Sequence, residues 1–163
     1  MKQILSSICM LICISTISAQ KVVFDKKDPF THERHIVTNN FTLTSILDVG
    51  AMANIGDTSK TFFLSFVVPG MPGVKIQMAD STVKECKLKL ADGKIITGKY
   101  FGNAQAPIGL KLYNSSTYTF SESDFKVLAT SEITDVKTDQ GLFEIAPKNK
   151  DKIPKLCDFL ISK

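Results

Sequence analysis

The two histidines of this chain lie together in His32-Glu33-Arg34-His35, and that cluster is the first place to look for chemistry. A zinc-protease helix carries two histidines four apart with a glutamate between them, so that both rings meet one metal. Here the spacing is three, in a stretch read as extended, where such positions face opposite ways. Asp28 would join them only on a helix. The expectation is therefore surface histidines and no metal.

Nucleophilic chemistry has no better support. Serine and threonine are abundant, but no Gly-x-Ser-x-Gly elbow occurs. A serine or cysteine nucleophile needs a base, and the imidazoles are confined to that one segment. There is no Gly-x-Gly-x-x-Gly and no Gly-Lys-Ser/Thr, so no phosphate-cradling loop and no cofactor is expected. Carboxylates arriving from separate strands, as in glycosidases, leave no local motif. An envelope hydrolase of that kind stays as the alternative to a non-enzymatic reading.

Of four cysteines, Cys9 and Cys13 fall in the first apolar run, while Cys86 and Cys157 fall in the body of the chain. Cys86 sits on the apolar side of an alternating strand, and Cys157 on the apolar stripe of a helix. In an oxidising compartment they form a candidate disulfide; the other reading is two separate buried thiols. Spacing does not choose between them, because bridge geometry is strict. No Cys-x-x-Cys is present to suggest a redox pair. Asn40-Phe41-Thr42 and Asn114-Ser115-Ser116 match the N-glycosylation pattern but read first as turns.

Residues 1–19 have a different character. Lys2 precedes a mostly apolar run over 4–14, followed by a more polar stretch ending Ile17-Ser18-Ala19. That order reads as a secretory signal peptide cut between Ala19 and Gln20. The run falls short of the roughly 20 apolar residues that span a bilayer. Cleavage removes one lysine and no acid. The 20 basic and 16 acidic residues of the whole chain are interspersed, which gives no basic stripe for nucleic acid.

The remaining elements must position whatever the protein binds. Residues 20–31 read as a charged, extended leader, and 32–163 as a single β-rich domain. Strands are predicted over 34–38, 41–49, 61–68 and 74–78, with a loop over 50–59. From Thr82 the alternation is regular, and Asp92-Gly93 marks a hairpin returning over 94–101. A loop follows over 103–109, then a hairpin of 110–113 and 117–120 around Asn114-Ser115-Ser116. Ser121 or Ser123 caps a short helix burying Phe125, Leu128 and Ala129. Strands over 132–137 and 142–146 flank Asp139-Gln140-Gly141. Asp151 starts a C-terminal helix over 151–162, with Ile153, Leu156, Cys157, Leu160 and Ile161 at i, i+3, i+4 spacing. Eleven phenylalanines and three tyrosines, without tryptophan, suit a β core.

The run from Asp80-Ser81-Thr82-Val83 to Asp92-Gly93-Lys94, with Tyr118-x-Phe-Ser-x-x-Asp124-Phe125, Ile133-x-x-Val136 and a closing helix, resembles small exported bacterial proteins of uncharacterised function. The likeness covers roughly the C-terminal half. It implies a compact β-rich domain with packed helices in a Gram-negative envelope, and it transfers no catalytic residue. The fold expected is mainly β (α+β): an antiparallel sandwich or partly open barrel with a short helix and a packed C-terminal helix. The function expected is an exported, soluble, non-enzymatic domain, periplasmic or secreted, binding a protein or small-molecule ligand, with no nucleic acid and no membrane span.

Overall fold

The computed structural model describes residues 22–69, 85–108 and 111–163. Among the described residues, ten strands form one antiparallel sheet: β1 (Val22–Lys27), β2 (Arg34–Thr38), β3 (Phe41–Thr42), β4 (Asp48–Ile55), β5 (Lys60–Pro69), β6 (Glu85–Leu90), β7 (Ile95–Ile108), β8 (Lys111–Phe120), β9 (Ile133–Thr138) and β10 (Gly141–Glu144). Their spatial order is β1-β2-β4-β5-β8-β7-β6-β9-β10, with β3 pairing β4 at the side. The sheet is not closed. Helix α1 (Glu122–Thr130) and helix α2 (Lys152–Ile161) pack on its inner face, and a 3-10 turn, Pro147–Asn149, leads into α2. This is the mainly β architecture with a packed C-terminal helix that the sequence predicts. Among the described residues, no helix is long and apolar enough to cross a membrane.

Alternation decides which face each strand buries. Cys86, Leu88 and Leu90 of β6 are buried, while Glu85, Lys87 and Lys89 are exposed. Gly93 takes the turn at φ +87, a conformation that costs a glycine little, and Asp92 Oδ1 accepts from the Lys94 N–H at 2.9 Å. Strand β5 is buried on both faces through Phe62, Phe63, Leu64 and Phe66, as befits an interior strand. Ser121 caps α1 by accepting from the Asp124 N–H at 3.1 Å, and Phe125 stacks on Phe62 with centroids 4.5 Å apart.

Several expectations are corrected. Within the stretch read as an extended leader, residues 22–27 form β1, which pairs with β2 through Asp25↔Ile36 and Lys26↔His35. The strand expected over 41–49 is interrupted, since Leu43 and Thr44 turn back onto the Leu47 carbonyl. Strand β4 then occupies 48–55, where a loop was expected. Its Ala51 and Ala53 are buried on the strand that α2 packs against, and Gly50, on the other face, leaves the space that the Asn40 side chain fills. The hairpin around Asn114-Ser115-Ser116 does not exist. These residues are mid-strand in β8, opposite β5 and an extended β7 that also absorbs the loop expected from 103. Asp151 makes no side-chain cap on α2 and instead ion-pairs with Lys155 one turn on. The strand expected over 74–78, and the cleavage site at Ala19 and Gln20, lie outside the described residues.

The sheet curls strongly. Ser116 and Tyr118 of β8 hydrogen-bond to Asp139, which follows β9, although β7 and β6 lie between those strands. In a flat sheet three spacings of about 4.8 Å would hold them roughly 14 Å apart.

Candidate functional site

The residues singled out by type occupy a surface turn, a strand and two core positions. His32 is exposed at the β1–β2 turn with φ 61, and its N–H bonds the Asp28 carbonyl at 3.0 Å. His35 lies on β2 with Nδ1 2.8 Å from Asn54 Oδ1. Arg34 forks onto Asp25 through Nε–Oδ1 at 2.8 Å and Nη2–Oδ2 at 2.7 Å, which holds the Asp25 carboxyl below its usual range. The Thr31 and Phe30 amides do the same for Asp28. Among the described residues, no group of three histidine, cysteine or acidic side chains is placed to hold a metal.

Cys86 and Cys157 are both free thiols and fully buried. Burial pushes the Cys86 thiol up to about 12, and drives Cys157 well upward too. Burial likewise raises the Tyr118 phenol, with the Asp139 carboxylate beside it adding to the effect. All three groups are neutral when protonated. Above about pH 9 an unfolded chain starts to release thiol protons that the folded chain keeps until about pH 12. Stability should therefore be intact below pH 9 and fall steeply toward pH 12, with Cys86 alone responsible for on the order of 3–4 kcal/mol across the window. Urea unfolding at pH 8 and pH 11, repeated on Cys86→Ala, checks this; an equal loss in both proteins would contradict it.

Two constellations remain that core packing does not explain. The first is a groove of about 270 Å³ on the outer face of the sheet. Lys87 and Lys89 come from β6, Ile95 from β7, Asp135 and Lys137 from β9, and Leu142 from β10. The pleat aims all of them outward, and pairing aligns Lys89 with Ile95 and Lys137 with Leu142. Ile95 and Leu142 are 56% and 71% exposed. Lys87 and Lys137 are direct cross-strand partners. Like charges placed so are destabilising. Lys89 bonds Asp135 at 3.7 Å, but neither Lys87 nor Lys137 has a salt bridge among the described residues.

The second is polar and internal. The Tyr118 hydroxyl donates to Asp139 Oδ1 at 2.7 Å and accepts from the Asp139 N–H at 3.1 Å. Ser116 Oγ donates to Asp139 Oδ2 at 2.9 Å and accepts from Gln140 Nε2 at 2.8 Å. Asn114 lies two residues along the same face, 7% exposed. Its Nδ2 and the Oε1 of Gln140 are buried without a partner among the described residues. Residue type alone does not reveal either constellation: one depends on strand register, the other on sheet curl. Comparison with protein-family models, curated proteins and solved structures finds no match for this chain.

Proposed function

We propose that this chain is an exported, non-enzymatic domain of the bacterial envelope that binds an anionic ligand with an apolar arm in the outer-face groove. The charge, apolar run and small residue over 1–19 support export. The observation that carries binding is the register of Lys87 against Lys137 between exposed Ile95 and Leu142. The fold bears a repulsion there that an anion between the two ammonium groups relieves, and local rules are broken most often at functional sites. The flanking aliphatic side chains then cover an apolar chain.

Dodecyl phosphate below its micelle concentration is a suitable probe for the chain beginning at Gln20. It should bind at least about tenfold more tightly than inorganic phosphate, a difference of roughly 1.4 kcal/mol. Lys137→Glu should abolish that binding while raising stability by roughly 0.2–1 kcal/mol, because it turns a repulsive pair into an attractive one. Calorimetric titration and thermal melting of the same samples read both effects. Equal affinity for the two probes, or an unaffected variant, defeats the reading.

A further inference from the structure

At the groove the strands lie in the order β7, β6, β9, β10. Pairing sets their outward side chains in two rows. One row is Thr97, Lys87, Lys137 and Leu142, and the other is Ile95, Lys89, Asp135 and Glu144. The second row carries its own counter-charge: Lys89 meets Asp135 at 3.7 Å, and Glu144 stands beyond it on β10. The first row holds two ammonium groups and no carboxylate. Three ammonium groups against two carboxylates leave a single excess positive charge, centred on the Lys87–Lys137 pair.

The two aliphatic side chains stand on opposite sides of that charge. Ile95 is on β7, outside Lys87 and Lys89, while Leu142 is on β10, outside Lys137. Three spacings of about 4.8 Å set their strands roughly 14 Å apart, with the lysine pair between them. Both are more than half exposed, so neither fills the core. An anion with one apolar arm covers one of them and leaves the other in water. An anion with an arm on each side covers both. Its charged group must then be internal to the molecule and singly negative, to match the single excess charge. A phosphodiester is such a group. Its two non-bridging oxygens supply one acceptor for each ammonium of a cross-strand pair whose Cβ atoms are about 4.5–5.5 Å apart. Arms that diverge to opposite sides lie flat on the sheet, unlike the parallel chains of a bilayer lipid, which favours a single molecule over a membrane surface.

We infer, resting on the reading of this groove as an anion site, that its ligand is a phosphodiester with an apolar arm on either side, bound across β7, β6, β9 and β10 with the phosphate between Lys87 and Lys137. Dibutyl phosphate is the probe, and butyl phosphate and dodecyl phosphate are the one-armed comparisons. Each is titrated into the chain beginning at Gln20 while the methyl resonances are followed by NMR. Dibutyl phosphate should bind at least about fivefold more tightly than butyl phosphate, although the monoester carries more charge. At saturation it should shift the methyl groups of both Ile95 and Leu142. Ile95→Thr and Leu142→Thr should each weaken dibutyl phosphate binding by about threefold or more. Both replace exposed side chains, and the comparison of the two butyl esters needs neither variant. Equal affinity for those esters, or shifts confined to one of the two aliphatic side chains, overturns the two-armed ligand; tight binding of dodecyl phosphate in the same samples would leave the groove an anion site all the same. Loss of dodecyl phosphate binding as well defeats both readings. Binding to dihexadecyl phosphate vesicles without binding to monomeric dibutyl phosphate also overturns the inference, and gives this face to a membrane instead.

Discussion

Ending the chain at Pro147 should leave no cooperatively folding protein. Helix α2 is lost in that truncation, and with it Ile153, Leu156, Cys157 and Leu160, each at most 1% exposed. Burying one such aliphatic side chain is worth about 1.5–3 kcal/mol, and a whole domain is stable by only about 5–15 kcal/mol. The truncation also removes the carbonyl of Lys150, which accepts from the Ile133 N–H at 3.1 Å, and Asn149, which donates to the Leu43 carbonyl at 2.8 Å. The small side chains of β4 then face water where α2 had packed. A ten-residue helix is marginal alone, so its order comes from this packing. Leu156→Ala in the full chain should cost about 2–5 kcal/mol. Solubility and a thermal melt of residues 20–147 decide the matter: a soluble monomer melting within a few degrees of the longer chain would show α2 to be dispensable.

Gly98→Ala should be the most damaging single-methyl change in the sheet. Gly98 sits opposite Cys86, and a Cβ there would collide with the ring tip of Phe120, stand 2.8 Å from Phe120 Cε1 and 2.9 Å from Cys86 Sγ. Phe120 is held by Phe125 on α1, with centroids 6.4 Å apart, and has no open side to swing into. Overpacking of this kind costs about 1–3 kcal/mol. The gain an alanine normally brings over glycine within a strand, roughly 0.5–1 kcal/mol, offsets only part of it. Phe120→Leu removes the clashing ring atoms. The double variant should therefore be more stable than the two single losses added together, a coupling that denaturant unfolding of all four proteins measures. Strict additivity would place the strain elsewhere.

The residues explain which elements were legible in the sequence. Helix α2 and the β6–β7 hairpin carry strong local signals: apolar spacing in the first, Asp92-Gly93 between alternating runs in the second. Strand β4 carries a misleading one. Gly50, Ala51 and Ala53 resemble a loop because a helix lies on one face of the strand and the Asn40 side chain crowds the other, and the small side chains that result have weak strand preference. Asn114-Ser115-Ser116 resembles a turn because it is polar, yet the Ser116 hydroxyl is bonded to Asp139 and Gln140, more than twenty residues away. The groove was hidden for a different reason. Lys87 and Lys137 look like ordinary exposed lysines of two separate strands until pairing sets them side by side. Histidines and cysteines, the conspicuous residue types, occupy a surface turn, a strand contact and two core positions.

The ends of the described chain have a practical consequence for how the protein is held. Asp25 lies on β1, the outermost strand at one end of the sheet order, and the charge of Lys163 is felt there. Lys163 therefore lies within electrostatic reach of β1. The strands carrying the lysine groove lie at the other end of that order. A cargo joined after Lys163 starts near β1 and not on one of the strands that line the groove.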